Sequence, residues 1–483
     1  MNRVLLRITV AALLLVVSGL IGWRVLAPAE LSASARTPNP PTPSSRQIGV
    51  TSRLNVAPLV VDGTVRVYAA KHQVRADGPV TARAVYTARW SFRRWPEQLS
   101  AIVASGTTVI TRWSDGKLVA IDSRTGKETW RADGPEGPGY AGHRTGAAAV
   151  WNPPGLRIAG GNVLVTEGQI LSGYAVSTGR SSWTTTVPAG CSEGFTTSAG
   201  AYLCATGAYD ATSGELLTGW PTGPFSPVGC GNSGCDAFRD GAGQGWLATA
   251  AEPRRVPALD DPLAVLVAGT VITAAQADAP APSAPPVTPG PSTSAPGSAA
   301  VSAGPVSPSS STSAPGSAPV SAGPVSPSPS TSAPGPVSVS VSAGLVSPSP
   351  STSAPVDGLP LTPPGTTPSS FFPAVAARTV DGAALWTTSG PARVLGGDSE
   401  TVLLLTPENM LRGVDVRTGD LKYSMPLLFA PDKEDTLDWK PGLYHLTDGF
   451  LAIERLNRDA SDDPESPVYY FTPDTVLLVA LPD

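Results

Sequence analysis

Four cysteines, at 191, 204, 230 and 235, are the residues of this sequence best suited to covalent chemistry. An even number in an exported chain reads as two disulfides, for which three connectivities exist. Cys191 and Cys204 flank Thr197-Ser198-Ala199-Gly200, a hairpin-turn sequence, and so can fall on neighbouring strands. Cys230 and Cys235 would close a small loop. Four thiolates also suffice for a zinc ion, but their spacing does not pair as two CxxC motifs.

The other candidates are weaker. Gly229-Cys-Gly-Asn-Ser-Gly234 has the form GxGxxG. A dinucleotide site needs a strand before it and a helix after it, whereas Pro227 precedes this one and no helical pattern follows. It reads as a glycine-rich loop. His72, His143 and His445 stand far apart. The stretch Asp459-Ala-Ser-Asp-Asp463-Pro-Glu465 offers carboxylates for calcium, but its spacing fits a solvated hairpin tip better. No GxSxG or HExxH occurs. Trp90, Trp130, Trp183, Trp220 and Trp386 could form an aromatic ligand platform. Their fixed place after a glycine turn argues instead for structural anchors.

That fixed place belongs to a repeating unit. Residues 106–130 read GTTVITRWSDGKLVAIDSRTGKETW. Val109 to Thr111 is β-branched, Asp115-Gly116 is a two-residue hairpin signal, and Leu118 to Ile121 is the return strand. Asp122 to Gly126 is a second turn, with Asp and Thr placed to bond local backbone. A polar strand then ends in Trp130. Gly179 and Trp183 close a second copy at 161–183, Gly214 and Trp220 a third at 199–220, and Asp415, Gly419 and Tyr423 a fourth at 398–423. Damaged copies lie at Val56 to Trp90, Leu263 to Trp386 and Leu443 to Leu481. Repeats of about 40 residues with roughly four short strands indicate propeller blades.

The pattern G-x-V-x-V-x-x-x-D-G-x-L-x-A-x-D-x-x-T-G-x-x-x-W resembles the repeat of pyrroloquinoline-quinone-type (PQQ-like) β-propellers. Residues 106–130 follow it almost position by position, and 398–423 follow it well. The resemblance implies an all-β propeller of about seven blades, between six and eight. It also implies that a quinone-dependent member would carry an adjacent Cys-Cys pair, a Trp floor and acidic calcium ligands. This chain has no adjacent Cys pair.

The 483 residues include 52 Pro and 50 Gly but only 15% charged residues, and the net charge is −5. No basic stripe appears, so nucleic-acid binding lacks an electrostatic basis. Residues 1–35 read as a targeting segment: Arg3 and Arg7 precede an apolar run from Ile8 to Trp23. We expect a retained single-pass anchor with the body extracytoplasmic; the alternative is a secreted protein, cleaved near Ala33-Ser34-Ala35. Residues 36–50 form a Pro-rich spacer expected to lift the body off the membrane. Residues 51–276 hold the first part of the propeller and 371–483 its end, with the C-terminal strand expected to close the ring against Leu59 to Val61. Residues 277–370, which repeat STSAP, read as a disordered insert inside one blade.

The function expected from these features is a non-enzymatic, membrane-anchored, monomeric propeller that binds a protein or a cell-envelope ligand and needs no cofactor. The alternative is a PQQ-dependent dehydrogenase, which would hold the quinone and calcium.

Overall fold

Local turn chemistry decides most of this architecture. Asp62-Gly63, Gly160-Gly161, Ala268-Gly269 and Asp448-Gly449 each hold positive φ at both residues. That conformation matches a tight hairpin turn to the twist of its strands. Each pair joins the first two strands of a small antiparallel sheet, and eight such sheets follow one another along the chain. The computed structural model describes residues 2–482 apart from 38–46, 276–370 and positions 86, 232, 431, 461, 462, 465, 467 and 473. The insert expected to be disordered therefore lies outside the described residues.

The fold is an eight-bladed β-propeller, not a ring of about seven. Blade 2 shows the full pattern, with strands Leu99–Ser105, Thr108–Trp113, Lys117–Asp122 and Glu128–Asp133. The repeat copies fall on blades 1 to 4 and 6 to 8. The uncounted blade is the fifth, Ser226–Gly231, Gly234–Arg239, Gly245–Leu247 and Arg254–Arg255. It lacks the Gly-to-Trp spacing. Its neighbour's Trp220 stacks instead on Phe238, with ring centroids 5.7 Å apart.

Side-chain alternation explains why so many strands are apolar on both faces. Val109, Val119 and Ile121 of blade 2 join a core shared with blades 1 and 8, whereas Ile110, Leu118 and Ala120 join a core shared with blade 3. A period of two thus sends successive residues to opposite neighbours. Further cores join blades 3 and 4, 4 and 5, 5 and 6, 6 and 7, and 7 and 8, so the ring is closed.

Closure differs from the expected pairing. The C-terminal strand Val476–Ala480 pairs with Gly49–Leu54, with Leu54 opposite Val476, while Leu59 and Val61 lie in the first strand of blade 1. Blade 1 also gains a fifth, outermost strand: Ala29–Ala33 pairs with Trp90–Trp95. This corrects the reading of residues 36–50 as a stalk. Residues 38–46 are outside the described set, but the strands on either side are the outermost ones of blades 1 and 8. The body has therefore already begun before the Pro-rich stretch. Helix α1, Asn2–Leu26, precedes that first strand. Leu13, Leu14 and Leu15 are exposed on it. Among the described residues, no helix is long and apolar enough to cross a membrane.

Candidate functional site: an axial cavity

The innermost strands of blades 1 to 5 and 8, the last being Lys440–Thr447, border one cavity of about 890 Å³. Its floor is built by the long connection between blades 2 and 3. There the short helix α2, Ala147–Trp151, packs against the innermost strands of blades 1, 2 and 8. Trp151 Nε1 donates to Pro58 O at 2.9 Å, at the start of blade 1's first strand. The rim, at the far ends of those strands, is made by the hairpin turns at Asp62, Gly106, Gly160-Gly161 and Asp448.

The connection is fixed by polar contacts that cross the ring closure. Ala57 N donates to Thr145 O at 2.7 Å. Thr145 Oγ1 donates to Glu454 Oε1 at 2.5 Å, and Leu443 N donates to Glu454 Oε2 at 3.3 Å. Arg144 lies over the Tyr470 ring, 5.2 Å from its centroid. Burial pushes the Glu454 carboxyl up to about 7, against the opposing pull of its Thr145 and Leu443 hydrogen bonds.

Inside, His445 stacks on Trp151 with centroids 6.4 Å apart and planes 6° from parallel. Burial lowers its pKa to about 4, so the ring is neutral near pH 7. Arg157 borders the same space from blade 3. The walls are apolar: Val60, Ile102, Val103, Ile158 and Phe195. Apolar walls with a few convergent polar groups are the usual make-up of a small-molecule site.

Most of the residues singled out in the sequence lie elsewhere. Asp122 Oδ1 accepts from Thr125 N at 2.8 Å and Thr125 Oγ1 at 2.6 Å. Asp415 Oδ1 accepts from Arg417 N at 2.9 Å and Thr418 N at 3.0 Å. Each turn ends in a glycine, and the preceding blade's tryptophan lies against it: Trp90 on Gly126, Trp130 on Gly179, Trp183 on Gly214 and Trp386 on Gly419. Trp90 Nε1 also donates to Ser123 O at 2.7 Å, and Trp386 Nε1 to Val416 O at 2.9 Å. None of these residues lines the cavity.

The cysteines form two disulfides, Cys191–Cys204 and Cys230–Cys235, and none is free. The zinc reading falls with them. Cys230 and Cys235 face each other across the first two strands of blade 5 and border the cavity. The GxGxxG stretch is the turn of that hairpin, with no helix after it. His72 sits against Trp95 on blade 1 and His143 lies in the connection before α2. Ser461, Asp462 and Glu465 of the acidic stretch lie outside the described residues. The sequence reading missed α2, Trp151 and Arg157; the small-residue run Gly146-Ala147-Ala148-Ala149 was the available sign of a short helix.

The family model described as outer membrane protein assembly factor BamB matches residues 17–206 and again 74–278, together 17–278. No curated protein matches. Among solved structures, BamB from Moraxella catarrhalis is similar at 11% identity, with 88% of this chain and 95% of that one covered and a TM-score of 0.38. The C-terminal WD40 domain of Sif2 is similar at 10% identity, 91% and 97% coverage and a TM-score of 0.39. Saccharomyces cerevisiae Sqt1 follows at 8% identity, 92% and 100% coverage and a TM-score of 0.37.

Proposed function

Since the chain belongs to the PQQ-like propeller family of outer membrane protein assembly factor BamB, we propose that it is a non-catalytic binding scaffold, held at a membrane by α1 with its propeller extracytoplasmic. The observation that carries this reading is the family match, whose own description is of an assembly factor. A protein partner or a cell-envelope ligand is the expected cargo, and the propeller acts as a monomer without a cofactor. Two features support it. The tryptophans that could have made a ligand platform serve as joints between blades. The cysteines are tied into Cys191–Cys204 and Cys230–Cys235 rather than into an adjacent pair.

Anchoring draws on α1 itself. Its described side chains from Thr9 to Leu20 are all exposed, and most are apolar. Exposed apolar surface of that extent is costly in water. Two residues separate α1 from the outermost strand of blade 1, so the anchor would hold the ring by that blade's edge.

The test is crosslinking in intact membranes followed by purification of the full chain. A specific envelope protein or ligand crosslinked at the propeller is the expected result. Purified protein mixed with the quinone and calcium should show no bound-quinone absorbance band. A stoichiometric band together with alcohol oxidation would overturn the scaffold reading. Recovery of the chain in the soluble fraction would overturn the anchor.

A further inference from the structure

The axial cavity borders a positive charge that, among the described residues, has no ion-pair partner. Arg157 Nη1 donates to Leu156 O at 3.0 Å and to Pro153 O, and Nη2 reaches Asn152 Oδ1 at 3.4 Å. Its Nε is buried without a hydrogen bond, as are those of Arg112 and Arg455. Among the described residues no carboxylate forms an ion pair with it. Burial lowers its pKa below the ordinary guanidinium value despite opposing influences from Tyr202 and Glu193. A half-buried cation hydrogen-bonded only to neutral groups keeps part of its desolvation cost.

Other buried arginines show what a purely structural role looks like here. Arg66 pairs with Asp77 at 2.8 Å, and Arg455 pairs with Asp435 at 2.6 Å. Arg112 of blade 2 is also held by carbonyls, but it reaches Gly155 O and Thr166 O of the next blade, and so ties two blades together. Arg239 does the same between blade 5 and the segment leading to blade 6, through Leu259 O and Ala264 O. Neither lines the cavity. Among the described residues, Arg157 bonds only to partners within five positions of itself, so it joins no blades, and it lines the cavity.

We propose that the axial cavity binds an amphipathic monocarboxylate, with its carboxylate on Arg157 and its apolar body along Ile102, Val103, Ile158 and Phe195. Nη1 already serves two carbonyls and Nε is buried, so Nη2 is the donor left for a carboxylate, which the positive charge also attracts. The volume of about 890 Å³ lies in the range of small-molecule sites. Charge count sets the class. Arg157 is the one cation bordering the cavity among its described lining, because His445 is neutral; of the two rim carboxylates, Asp62 is paired with Arg124, whereas Asp448 accepts a backbone hydrogen bond from Gly63 N at 3.2 Å. One guanidinium balances a single negative charge, and the Asp448 carboxylate at the rim opposes a polyanion. This assignment rests on the reading of the propeller as a binding module.

The experiment is isothermal titration calorimetry on the full chain in nanodiscs, with empty nanodiscs as blank. The probes are 4-phenylbutyrate, its neutral amide 4-phenylbutyramide, and citrate. The acid should bind roughly ten-fold tighter than the amide, as one charge-assisted contact predicts, and citrate should not bind. Arg157→Gln should bring acid and amide within about two-fold of each other, with the larger loss on the acid. Arg157→Lys should restore part of the preference, and it serves where the glutamine variant fails to fold. Equal binding of acid and amide, no binding of either, tight binding of citrate, or an acid preference that survives Arg157→Gln would each overturn the proposal. Failure to capture a protein partner by crosslinking would leave this measurement untouched, so the two readings fail separately.

Discussion

A Cβ placed on Gly179 would sit 2.3 Å from Cε3 of Trp130, and the indole Nε1 of Trp130 donates to Val176 O at 2.7 Å. The two residues lie on adjacent blades. Gly179 also has φ +69°, which L side chains rarely adopt. The turn thus offers the indole a flat bare floor and one carbonyl to bond. Trp130 is 8% exposed, so it brings a large apolar area into the joint at the cost of one satisfied polar group.

Removing either half of that joint should be expensive. Trp130→Ala should cost about 3–5 kcal/mol, as for other buried large aromatics. Gly179→Ala should cost about 1–3 kcal/mol, through overpacking and backbone strain together. Denaturant unfolding of each variant measures both. A Trp130→Ala cost below about 1 kcal/mol would show that the ring is not wedged between blades.

The fold was legible where its determinants are local. An Asp-to-Gly turn needs one short side chain and one residue free to take positive φ, and both are visible in a string of letters. Blade 5 was hidden because its joint sets Trp220 against Phe238, a ring-on-ring contact with no glycine turn to mark it. The closing strand Gly49–Leu54 was missed for a different reason: its partner Val476–Ala480 lies at the other end of the chain. The cavity was illegible throughout. Its floor comes from a Gly- and Pro-rich connection that composition marks as loop, and Arg157 acquires its character only once the ring surrounds it.

The disulfides make a direct chemical prediction. Unreduced protein should yield no alkylatable thiol, since all four cysteines are paired. Cys191→Ser with Cys204→Ser should destabilise the fold by about 2–5 kcal/mol. That bridge lies in the core shared by blades 3 and 4. Thiol labelling before and after reduction, followed by thermal melts, checks both; four labelled thiols in the unreduced protein would contradict the pairing.

Glu454 should make stability depend on pH in an unusual direction. Burial raises its folded pKa to about 7, above the ordinary carboxylate range. Such a group contributes fully below its unfolded pKa, and its contribution fades as pH rises through 7. The facing groups are Thr145, His143 and Leu443 N, with Tyr470 also coupled to it. Between pH 5 and pH 8 the ring should lose on the order of 2 kcal/mol from this group. Glu454→Gln keeps a hydrogen-bonding side chain without the charge and should flatten that slope. Melting temperatures of both proteins across the range decide it, and an unchanged slope in the variant removes Glu454 as the cause.

The last prediction concerns residues 280–368. Thr270–Ala274 and Val375–Thr379 are neighbouring antiparallel strands of blade 6, with Ala274 opposite Val375. Ala275 N donates to Ala374 O at 2.9 Å, so the chain leaves and re-enters the sheet at adjacent points. A short link can span that gap. Loop-closure entropy grows by only about 0.6 kcal/mol per doubling of length, so shortening the loop to roughly ten residues should stabilise by about 2 kcal/mol at most. Replacing 280–368 with a Gly-Ser loop should therefore leave the melting temperature unchanged or slightly raised. Proteolysis within the insert is the sharper measurement. Blade 6 takes two strands from each side of the cut, and blade 8 takes Gly49–Leu54 from the N-terminal fragment and its other three strands from the C-terminal one. Two sheets thus hold the fragments together, and they should co-elute and melt in one transition. Clean separation into two fragments, each melting cooperatively, would mean that the ring is not shared across the insert.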